Sequence, residues 1–317
     1  MKTLVTGGAG FIGSNLVDQL LADGGEVLIV DNFDSFYPSD RKRANIAAAL
    51  SNPRCQLIEL DTRDAEGVRQ LLDREHPDAI VHLAARAGIQ PSIDAPALYA
   101  DVNLMGTVHL LEAASRLDPP PKFVFASSSS VYGDRPDAPF RESDRVDFPI
   151  SPYAATKKAC ELLAHTFHHL HGLPVTGLRF FTVYGPRNRP DLAIAKFTRL
   201  IDGGLPVPMY GDGSTRRDYT YIGDIVDGII RSIHHCRQYH IYNLGNSQPI
   251  PLSELIESIG RALGKTPIIE RRPEQPGDVR QTFADISQAA AELGYRPRTP
   301  FAVGLAHYVD WYRSTKS

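Results

Sequence analysis

Two side chains suited to proton transfer, Tyr153 and Lys157, stand four residues apart in the segment YAATK. The surrounding apolar spacing predicts a helix over Tyr153–Leu170, so the two side chains share one helical face. An ammonium group beside a phenol stabilises the phenolate, which lets the tyrosine take a proton from a hydroxyl near neutral pH. Ser127–Ser130 follow a predicted strand, where a hydroxyl can hydrogen-bond the same substrate oxygen. The alternative is a solvated Tyr–Lys pair, because such spacings also arise by chance.

A glycine-rich loop near the start of the chain indicates a dinucleotide site. It follows the strand-like run KTLVT and precedes a helix predicted over Phe11–Leu21. Glycines permit the tight turn and let backbone N–H groups approach a pyrophosphate, which then rests at the helix N-terminus. The residues assigned to this loop are Gly7, Gly10, Phe11, Ile12 and Gly13.

An acidic residue in register with this loop favours NAD over NADP. Asp31 ends the next strand-like run, Glu26–Asp31. A carboxylate there accepts hydrogen bonds from both ribose hydroxyls and repels a 2′-phosphate. Asn32, which follows it, is assigned to the same site. A merely structural turn is the alternative interpretation.

Two further strand ends extend the predicted cofactor site. Polar residues at the third are expected to meet the adenine, and small residues at the fourth let a ribose lie close. These residues are Asp61, Thr62, Leu83, Ala84 and Ala85, for which ordinary strand-end roles are the alternative.

The elements that must position these residues alternate along the chain. Short apolar runs typical of strands buried on both faces are separated by amphipathic stretches, which indicates a parallel sheet covered by helices. The runs are residues 2–6, 26–31, 56–61, 79–83, 122–127 and 175–181, and the stretches are 65–75, 97–117 and 153–170. The predicted fold class is α/β, a Rossmann-type doubly wound parallel sheet with a smaller C-terminal α/β substrate lobe.

Beyond about residue 185, proline and glycine become frequent and the alternation loosens. Helices are predicted at residues 194–201, 223–235, 252–263 and 301–312, and strands at 239–244 and 268–271. The predicted division is a dinucleotide-binding domain over residues 1–181, with a returning segment near 215–245, and a second lobe mainly over 182–317.

Composition narrows the class of protein. The net charge of −3 over 317 residues gives no basic surface for nucleic acid. No apolar run approaches the roughly 18 residues of a membrane span, and the glycine-rich N-terminus does not match a signal peptide. Three scattered cysteines predict neither disulfides nor a zinc site and favour the reducing cytoplasm. His165 and His169 stand one helical turn apart, but an interface or solvated helix is preferred to a metal site.

Several motifs together resemble the extended short-chain dehydrogenase/reductases: TGGAGFIG, HLAA, SSSSVYG and YAATK. The segments LRFFTVYGPRNRPD, GDGSTRRDYTYIGDIVDGI and YNLGNS are similar to the nucleotide-sugar branch. DNFDSFY, RAGIQPSI and VYGPRNRPD most resemble the UDP-glucuronate 4-epimerases, and the resemblance covers nearly the whole chain.

This resemblance implies NAD as cofactor and a UDP-sugar as substrate. Tyr153 would be the base, Lys157 would orient both it and the nicotinamide ribose, and Ser128 would be the substrate-binding hydroxyl. Asn103 matches an asparagine that holds the active-site helix, and Phe180 completes the predicted cofactor contacts.

The expected reaction begins with proton transfer from the C4 hydroxyl to Tyr153 and hydride transfer to NAD⁺, giving a 4-keto sugar. A 4,6-dehydratase needs an Asp–Glu pair just after the catalytic hydroxyl, and related decarboxylases usually carry a Glu at the second position. This chain has Ser129 and Ser130 there, so epimerisation is predicted.

A 4-keto uronate loses CO₂ readily when its carboxylate stands perpendicular to the carbonyl plane, so an epimerase must hold that carboxylate. Guanidinium and hydroxyl donors suit this task. Arg189 and Thr182, with Ser128 to Ser130, are the candidates, and Arg187 competes with Arg189.

Other family positions fall on the second lobe. Arg217 and Asp278 match residues for the diphosphate and uridine ribose, while Lys196 and the segment from Val207 to Tyr210 are expected on the uracil side. One departure concerns the segment RAGIQ, where Gln90 replaces an expected arginine and Arg86 appears earlier.

Three other functions stay open at this point: 4-epimerisation of neutral UDP-hexoses, UDP-glucuronate decarboxylation, and a non-catalytic NAD-sensing scaffold. A sensor need not keep Ser128, Tyr153 and Lys157. The resemblance also implies a homodimer, formed through residues 97–117 and the predicted helix from Tyr153.

Overall fold

The computed structural model describes residues 1–273 and 279–316. Its strands are β1 (Lys2–Thr6), β2 (Glu26–Asp31), β3 (Cys55–Glu59), β4 (Ala79–His82), β5 (Lys122–Ser128), β6 (Val175–Phe180), β7 (Thr182–Tyr184), β8 (Val207–Tyr210), β9 (Arg216–Tyr221), β10 (His240–Leu244), β11 (Pro249–Pro251) and β12 (Ile269–Arg272). Its α-helices are α1 (Phe11–Ala22), α2 (Ser39–Ile46), α3 (Ala65–Glu75), α4 (Ile89–Asp94), α5 (Pro96–Tyr99), α6 (Gly106–Ala114), α7 (Pro152–His171), α8 (Ala193–Asp202), α9 (Ile222–His235), α10 (Leu252–Leu263), α11 (Ser287–Glu292) and α12 (Phe301–Ser314).

The chain divides into two compact units, each made of segments that are separate in the sequence. Unit 1 contains Met1–Gly133, Arg145–Arg179 and Val226–Tyr242. Unit 2 contains Asp134–Asp144, Phe180–Ile225 and Asn243–Ser317. The sequence does not separate residues 134–144 from the first unit, because no break in composition marks them.

A seven-stranded sheet of order β10-β6-β5-β4-β1-β2-β3 forms the framework of unit 1. The pairs β3–β2, β2–β1, β1–β4 and β4–β5 are parallel. The chain leaves β1 in one direction toward β2 and β3, and later returns to pair β4 on the other side of β1. The carboxyl ends of β1 and β4 therefore flank the point where a doubly wound sheet opens for a ligand. The predicted Rossmann-type fold is confirmed.

The strands of this sheet are continuous apolar runs because helices cover both faces. Leu4, Val5, Ile80 and Val81 are fully buried in its centre. One face of the sheet packs against α3, α6 and α7. The core formed there includes Leu72, which lies on the apolar face of the amphipathic helix α3.

The helix predicted over residues 97–117 is broken into three pieces. Helix α5 ends at Tyr99, a π-helical segment covers Ala100–Met105, and α6 continues from Gly106. The sequence prediction assumed one continuous α-helical period over this stretch and did not identify the π-helical turn inside it. Asn103, whose side chain is discussed below, lies inside the π-helical segment.

Unit 2 has its own small sheets and core. Strand β9 pairs with β7 in parallel and with β11 in antiparallel register, and β8 pairs with β12 in parallel. Helices α8, α10 and α12 bury apolar faces in one cluster that includes Leu255, Ile256 and Leu305. These three helices and β12 match the helices predicted at residues 194–201, 252–263 and 301–312 and the strand predicted at 268–271. The strands β7, β8, β9 and β11 and the helix α11 were not predicted, because they are short and lie among frequent prolines and glycines.

No helix in the described parts of the chain is both long enough and apolar enough to cross a bilayer.

Candidate active site

The glycine loop joins β1 to α1 with backbone contacts that leave no room for side chains. Gly7 has a φ of +67°, and a Cβ on it would lie 2.7 Å from the backbone nitrogen of Ala84. A Cβ on Gly13 would lie 2.2 Å from the carbonyl oxygen of Gly7. The first N–H groups of α1, before that of Ser14, have no acceptor within the helix. The loop therefore fits a pyrophosphate group.

Asp31 ends β2 as a buried carboxylate with fixed oxygens. Its Oδ2 accepts a hydrogen bond from the Ala9 backbone N–H at 3.1 Å, and its Oδ1 accepts one from the Phe33 N–H at 2.9 Å. Burial raises the pKa of Asp31, while the nearby ammonium of Lys42 and these two N–H groups oppose the shift. A carboxylate held in this way presents its remaining lone pairs in fixed directions.

Lys42 is a charged residue near this site that the sequence reasoning missed. It lies on α2, is almost fully buried, and places its Nζ 4.0 Å from the Asp31 carboxylate. The same Nζ donates to the Asp34 carbonyl oxygen at 2.9 Å. Helix α2 is strongly polar, so no apolar period could have indicated it.

The residues predicted at the end of β3 are held by one arginine. Asp61 Oδ2 accepts hydrogen bonds from Arg63 NH2 and Asn32 Nδ2, both at 2.8 Å. The hydrogen bonds from Arg63 lower the pKa of Asp61 to about 2. Thr62 is buried, and its carbonyl oxygen contacts His109 Nδ1 at 3.1 Å. The structure thus brings Asn32 and Asp61 together.

A buried histidine holds the end of β4 in place. His82 lies between Thr6 Oγ1 at 2.7 Å and Thr107 Oγ1 at 3.0 Å. Burial lowers its pKa to about 3. Thr6 Oγ1 also accepts the Ala84 N–H at 3.2 Å, so the strand end opposite the glycine loop is tied to β1. Leu83, Ala84 and Ala85 are half-buried there.

Asn103 uses its whole side-chain amide to link the segment after β4 to α7. Its Oδ1 accepts the Arg86 N–H at 2.7 Å, and its Nδ2 donates to the Arg86 carbonyl at 3.0 Å and to Thr156 Oγ1 at 3.1 Å. It therefore joins the segment after β4 to α7. Arg86 also pairs with Asp34 at 3.0 Å, while Gln90 is exposed on α4.

Tyr153 and Lys157 occupy successive turns of α7, which begins with Ser151 accepting the Ala154 N–H at 3.2 Å. Lys157 is buried, and its Nζ donates to the Ala126 carbonyl oxygen at 2.8 Å. The same Nζ lies 6.0 Å from the centre of the Tyr153 ring. Tyr153 packs its ring edge against Tyr99 and remains half-buried.

The serine segment Ser128–Ser130 turns directly after β5. Ser128 Oγ accepts the Ser130 N–H and donates to Ser130 Oγ, both at 3.1 Å. A 3₁₀ turn follows over Ser129–Tyr132, and Ser129 and Ser130 are half-buried. No carboxylate occupies this turn, so it offers hydroxyl and N–H groups alone.

A buried ion pair between Glu161 and Arg179 lies beside this turn, and the sequence analysis did not identify it. Arg179 Nε and NH2 each approach a Glu161 carboxylate oxygen to 2.8 Å. Burial acts to raise the pKa of Glu161, but the hydrogen bonds and charge of Arg179 hold it below its usual value. The carboxylate is therefore ionised at neutral pH.

In unit 2, the loop that follows β7 carries the arginines predicted to bind a carboxylate. Arg189 Nε and NH2 donate to the two Asp191 oxygens at 3.0 and 2.6 Å. This fixes the guanidinium plane and engages one of its edges. Arg187 adopts a left-handed φ of +67°. Thr182 opens β7 and is half-buried.

The other predicted substrate residues of unit 2 are distributed over three elements. Lys196 lies half-buried in the first turn of α8, and the segment from Val207 to Tyr210 is the whole of β8. Arg217 in β9 donates from NH1 to the Arg216 carbonyl oxygen at 2.8 Å. Phe180 is a buried residue at the end of β6. Asp278 lies outside the described residues.

Among residues 1–273 and 279–316, no group of three or more His, Cys, Asp or Glu side chains is arranged to hold a metal ion. The rings of His165 and His169 stack at 6.5 Å, and His165 packs on Tyr239.

A family model and a plant relative each match nearly the whole chain. The family model described as GDP-mannose 4,6 dehydratase matches residues 4–308. UDP-glucuronate 4-epimerase 4 of Arabidopsis thaliana is 41% identical over 332 residues, covering 99% of this chain and 76% of that protein.

Two solved structures are similar over nearly the whole chain. One is a UDP-glucuronic acid 4-epimerase from Bacillus cereus in complex with UDP-glucuronic acid and NAD, with a TM-score of 0.93 at 34% identity. The structural match covers 99% of this chain and 100% of the Bacillus cereus chain. The other is a Thermus thermophilus UDP-glucose 4-epimerase in complex with NAD, with a TM-score of 0.89 at 34% identity. Coverage is 99% of both chains.

Proposed function

The chain belongs to the GDP-mannose 4,6-dehydratase family of extended short-chain dehydrogenase/reductases, and from this premise we propose that it is a UDP-glucuronate 4-epimerase. The enzyme would interconvert UDP-glucuronate and UDP-galacturonate with NAD as cofactor. The observation that carries the proposal is a turn of three serines, without a carboxylate, next to the helix that bears Tyr153 and Lys157. Dehydration at C5 and C6 needs an acid–base pair, which this turn lacks.

The residues around the β1–α1 loop fit NAD. The side-chain-free loop at Gly7 and Gly13 would hold the pyrophosphate, and Asp31 would accept the adenosine ribose hydroxyls. Asn32, Asp61 and Thr62 would lie on the adenine side. When bound, NAD supplies a reversible hydride acceptor for the sugar C4.

Tyr153 acts as the base in this proposal and removes the proton from the C4 hydroxyl. The buried Lys157, whose Nζ donates to the Ala126 carbonyl oxygen, would stabilise the phenolate through its positive charge. Ser128 would hold the C4 oxygen, because its hydroxyl is already oriented by Ser130. Epimerisation then requires that the 4-keto sugar turn its other face before reduction.

Arg189 is the proposed holder of the C6 carboxylate. Asp191 binds Nε and NH2 of Arg189 and so holds its guanidinium in a fixed plane, and a planar guanidinium matches the geometry of a carboxylate. Thr182 and the serine segment would supply further donors. A carboxylate kept away from the perpendicular orientation does not lose CO₂ during the keto stage.

The uridine diphosphate would bind residues of unit 2. Arg217 is proposed for the diphosphate and Asp278 for the uridine ribose. Lys196, which makes no ion pair with any described residue, and the edge of β8 are proposed for the uracil side.

Incubation with UDP-glucuronate, followed by NMR of the products, tests this function. We expect UDP-galacturonate from the wild type. Arg189→Ala should lower uronate turnover about 10- to 100-fold, the loss expected for one charge-assisted contact, and release some UDP-pentose. Arg199→Ala, an exposed arginine on α8, is the matched control.

The resemblance to a UDP-glucose 4-epimerase makes neutral hexoses the principal rival substrates. UDP-galactose formed from UDP-glucose, with no 4-epimer from UDP-glucuronate, would overturn the proposal. UDP-xylose or a UDP-4-keto-pentose as the main product would assign a decarboxylase instead.

We also propose a homodimer in the cytoplasm. Leu162 and Leu170 stand two turns apart on one face of α7 and are 59% and 66% exposed. A second copy of the chain would cover them. Cys55, Cys160 and Cys236 are free thiols, as expected in a reducing compartment.

A further inference from the structure

Two tethers hold the serine segment Ser128–Ser130, one at each end. At the near end, Ser127 Oγ donates to Glu161 Oε1 at 2.7 Å. At the far end, Tyr132 OH accepts a hydrogen bond from Arg179 NH1 at 2.9 Å. Both anchors belong to the buried ion pair described above, whose side chains are only 1% and 3% exposed.

The same helix that carries the proposed base also carries this anchor. Tyr153, Lys157 and Glu161 follow one another at intervals of four residues and share a face of α7. Lys157 binds the Ala126 carbonyl oxygen, and Glu161 binds the next residue, Ser127. Side chains on successive turns of α7 therefore hydrogen-bond to successive residues at the end of β5.

The geometry of this ion pair fixes the direction of a further donor, Arg179 NH1. Both Glu161 oxygens accept from Arg179, so the guanidinium plane is fixed and NH1 points at Tyr132. Replacing a buried ion pair by apolar residues is often neutral or stabilising, so its presence calls for a reason other than stability. Fixing two ends of a functional turn is such a reason.

We infer that Glu161 and Arg179 are positioning residues, which set the place of Ser128 and Ser130 relative to Tyr153 by holding the serine segment at both ends. The catalytic part of this inference rests on the proposed function. The mechanical part, that the segment is ordered by these two tethers, stands on the contacts alone.

Single-tether variants test the inference without breaking the ion pair, whose loss risks unfolding. Ser127→Ala removes the near tether and Tyr132→Phe the far one. We expect each to lower kcat with UDP-glucuronate at least 10-fold, with less than a 3-fold change in KM, since binding groups of unit 2 are untouched. The double variant should lose less than the product of the two single losses, because both tethers hold one segment.

Matched controls remove the same groups elsewhere. Ser115→Ala deletes a hydroxyl that donates to the Glu112 carbonyl oxygen on α6. Tyr239→Phe deletes a hydroxyl that donates to the Glu161 carbonyl oxygen, and so loosens the same helix without touching the serine segment. Both should retain wild-type kcat.

Amide hydrogen exchange provides a readout that does not depend on any substrate. Exchange in residues 128–131 should accelerate at least 10-fold in Ser127→Ala and Tyr132→Phe, with the rest of the sheet unchanged. Unchanged local exchange would overturn the inference. Accelerated exchange with unchanged kcat would overturn its catalytic part, and a wild type inactive on UDP-sugars would overturn the proposed function alone.

Discussion

The relative position of Tyr153 and Lys157 is set mainly by the helix that carries both of them. The Lys157 ammonium donates a hydrogen bond to one backbone carbonyl oxygen, and Tyr153 lies one turn earlier on the same helix. The relative orientation of these two side chains is therefore set by α7 itself. In the proposed mechanism the phenol hydroxyl of Tyr153 is the group that takes the proton from the sugar C4 hydroxyl.

Tyr153→Phe should consequently abolish epimerisation. We expect turnover of UDP-glucuronate to fall at least about 100-fold, within the usual contribution of general acid–base catalysis. NAD should still bind, because the glycine loop and Asp31 are unaffected. Product formation measured by NMR, together with a cofactor-binding titration, checks both statements.

Tyr312→Phe is the control for this substitution, since its hydroxyl contacts Asp202 in unit 2. Retention of wild-type turnover by Tyr153→Phe would exclude this tyrosine as the base.

Elements are joined by buried polar side chains as well as by apolar packing. His82 at the end of β4 connects β1 through Thr6 and α6 through Thr107. Thr107 Oγ1 donates to the Asn103 carbonyl oxygen, so it accepts from His82 Nε2–H, and Nδ1 is left to accept from Thr6. The network therefore favours a neutral imidazole with the proton on Nε2.

This neutral histidine makes stability depend on pH. Because burial lowers its pKa to about 3, the unfolded chain binds a proton below about pH 6.5 that the folded chain does not bind. The contribution is complete above pH 6.5 and is lost as the pH falls toward 3. It amounts to roughly 4 to 5 kcal/mol over the whole window.

Chemical denaturation of the wild type and His82→Gln between pH 4 and pH 7 measures this contribution. Gln offers a donor and an acceptor but does not titrate, so the variant should lose less stability on acidification. Equal pH slopes in the two proteins would show that folding does not lower the pKa of His82.

At the scale of the whole molecule, exposed leucines on α7 carry the proposed dimer. Leu162→Glu combined with Leu170→Glu places charges on that face and should convert the protein from dimer to monomer in sedimentation velocity. Leu205→Glu is the control, because Leu205 is 53% exposed in unit 2. A monomeric wild type, or a double variant that stays dimeric, would contradict the proposal.

Local spacing explains what the sequence alone determined about this protein. The glycine loop and the Tyr153–Lys157 pair are each defined by residues a few positions apart on one turn or helix, and Asp31 is found at the end of the next apolar run. The parallel sheet follows from the alternation of apolar runs and amphipathic stretches. Such features depend on neighbouring residues, so the sequence alone is enough to predict them.

Only the tertiary structure decided which distant residues meet. Glu161 of α7 pairs with Arg179 of β6, Asn103 binds Thr156, and Lys42 approaches Asp31 from a polar helix. Charged residues in a sequence are usually solvated, and nothing local distinguishes the few that are buried. Burial makes these contacts strong and directional, and burial is a property of the assembled fold rather than of any segment.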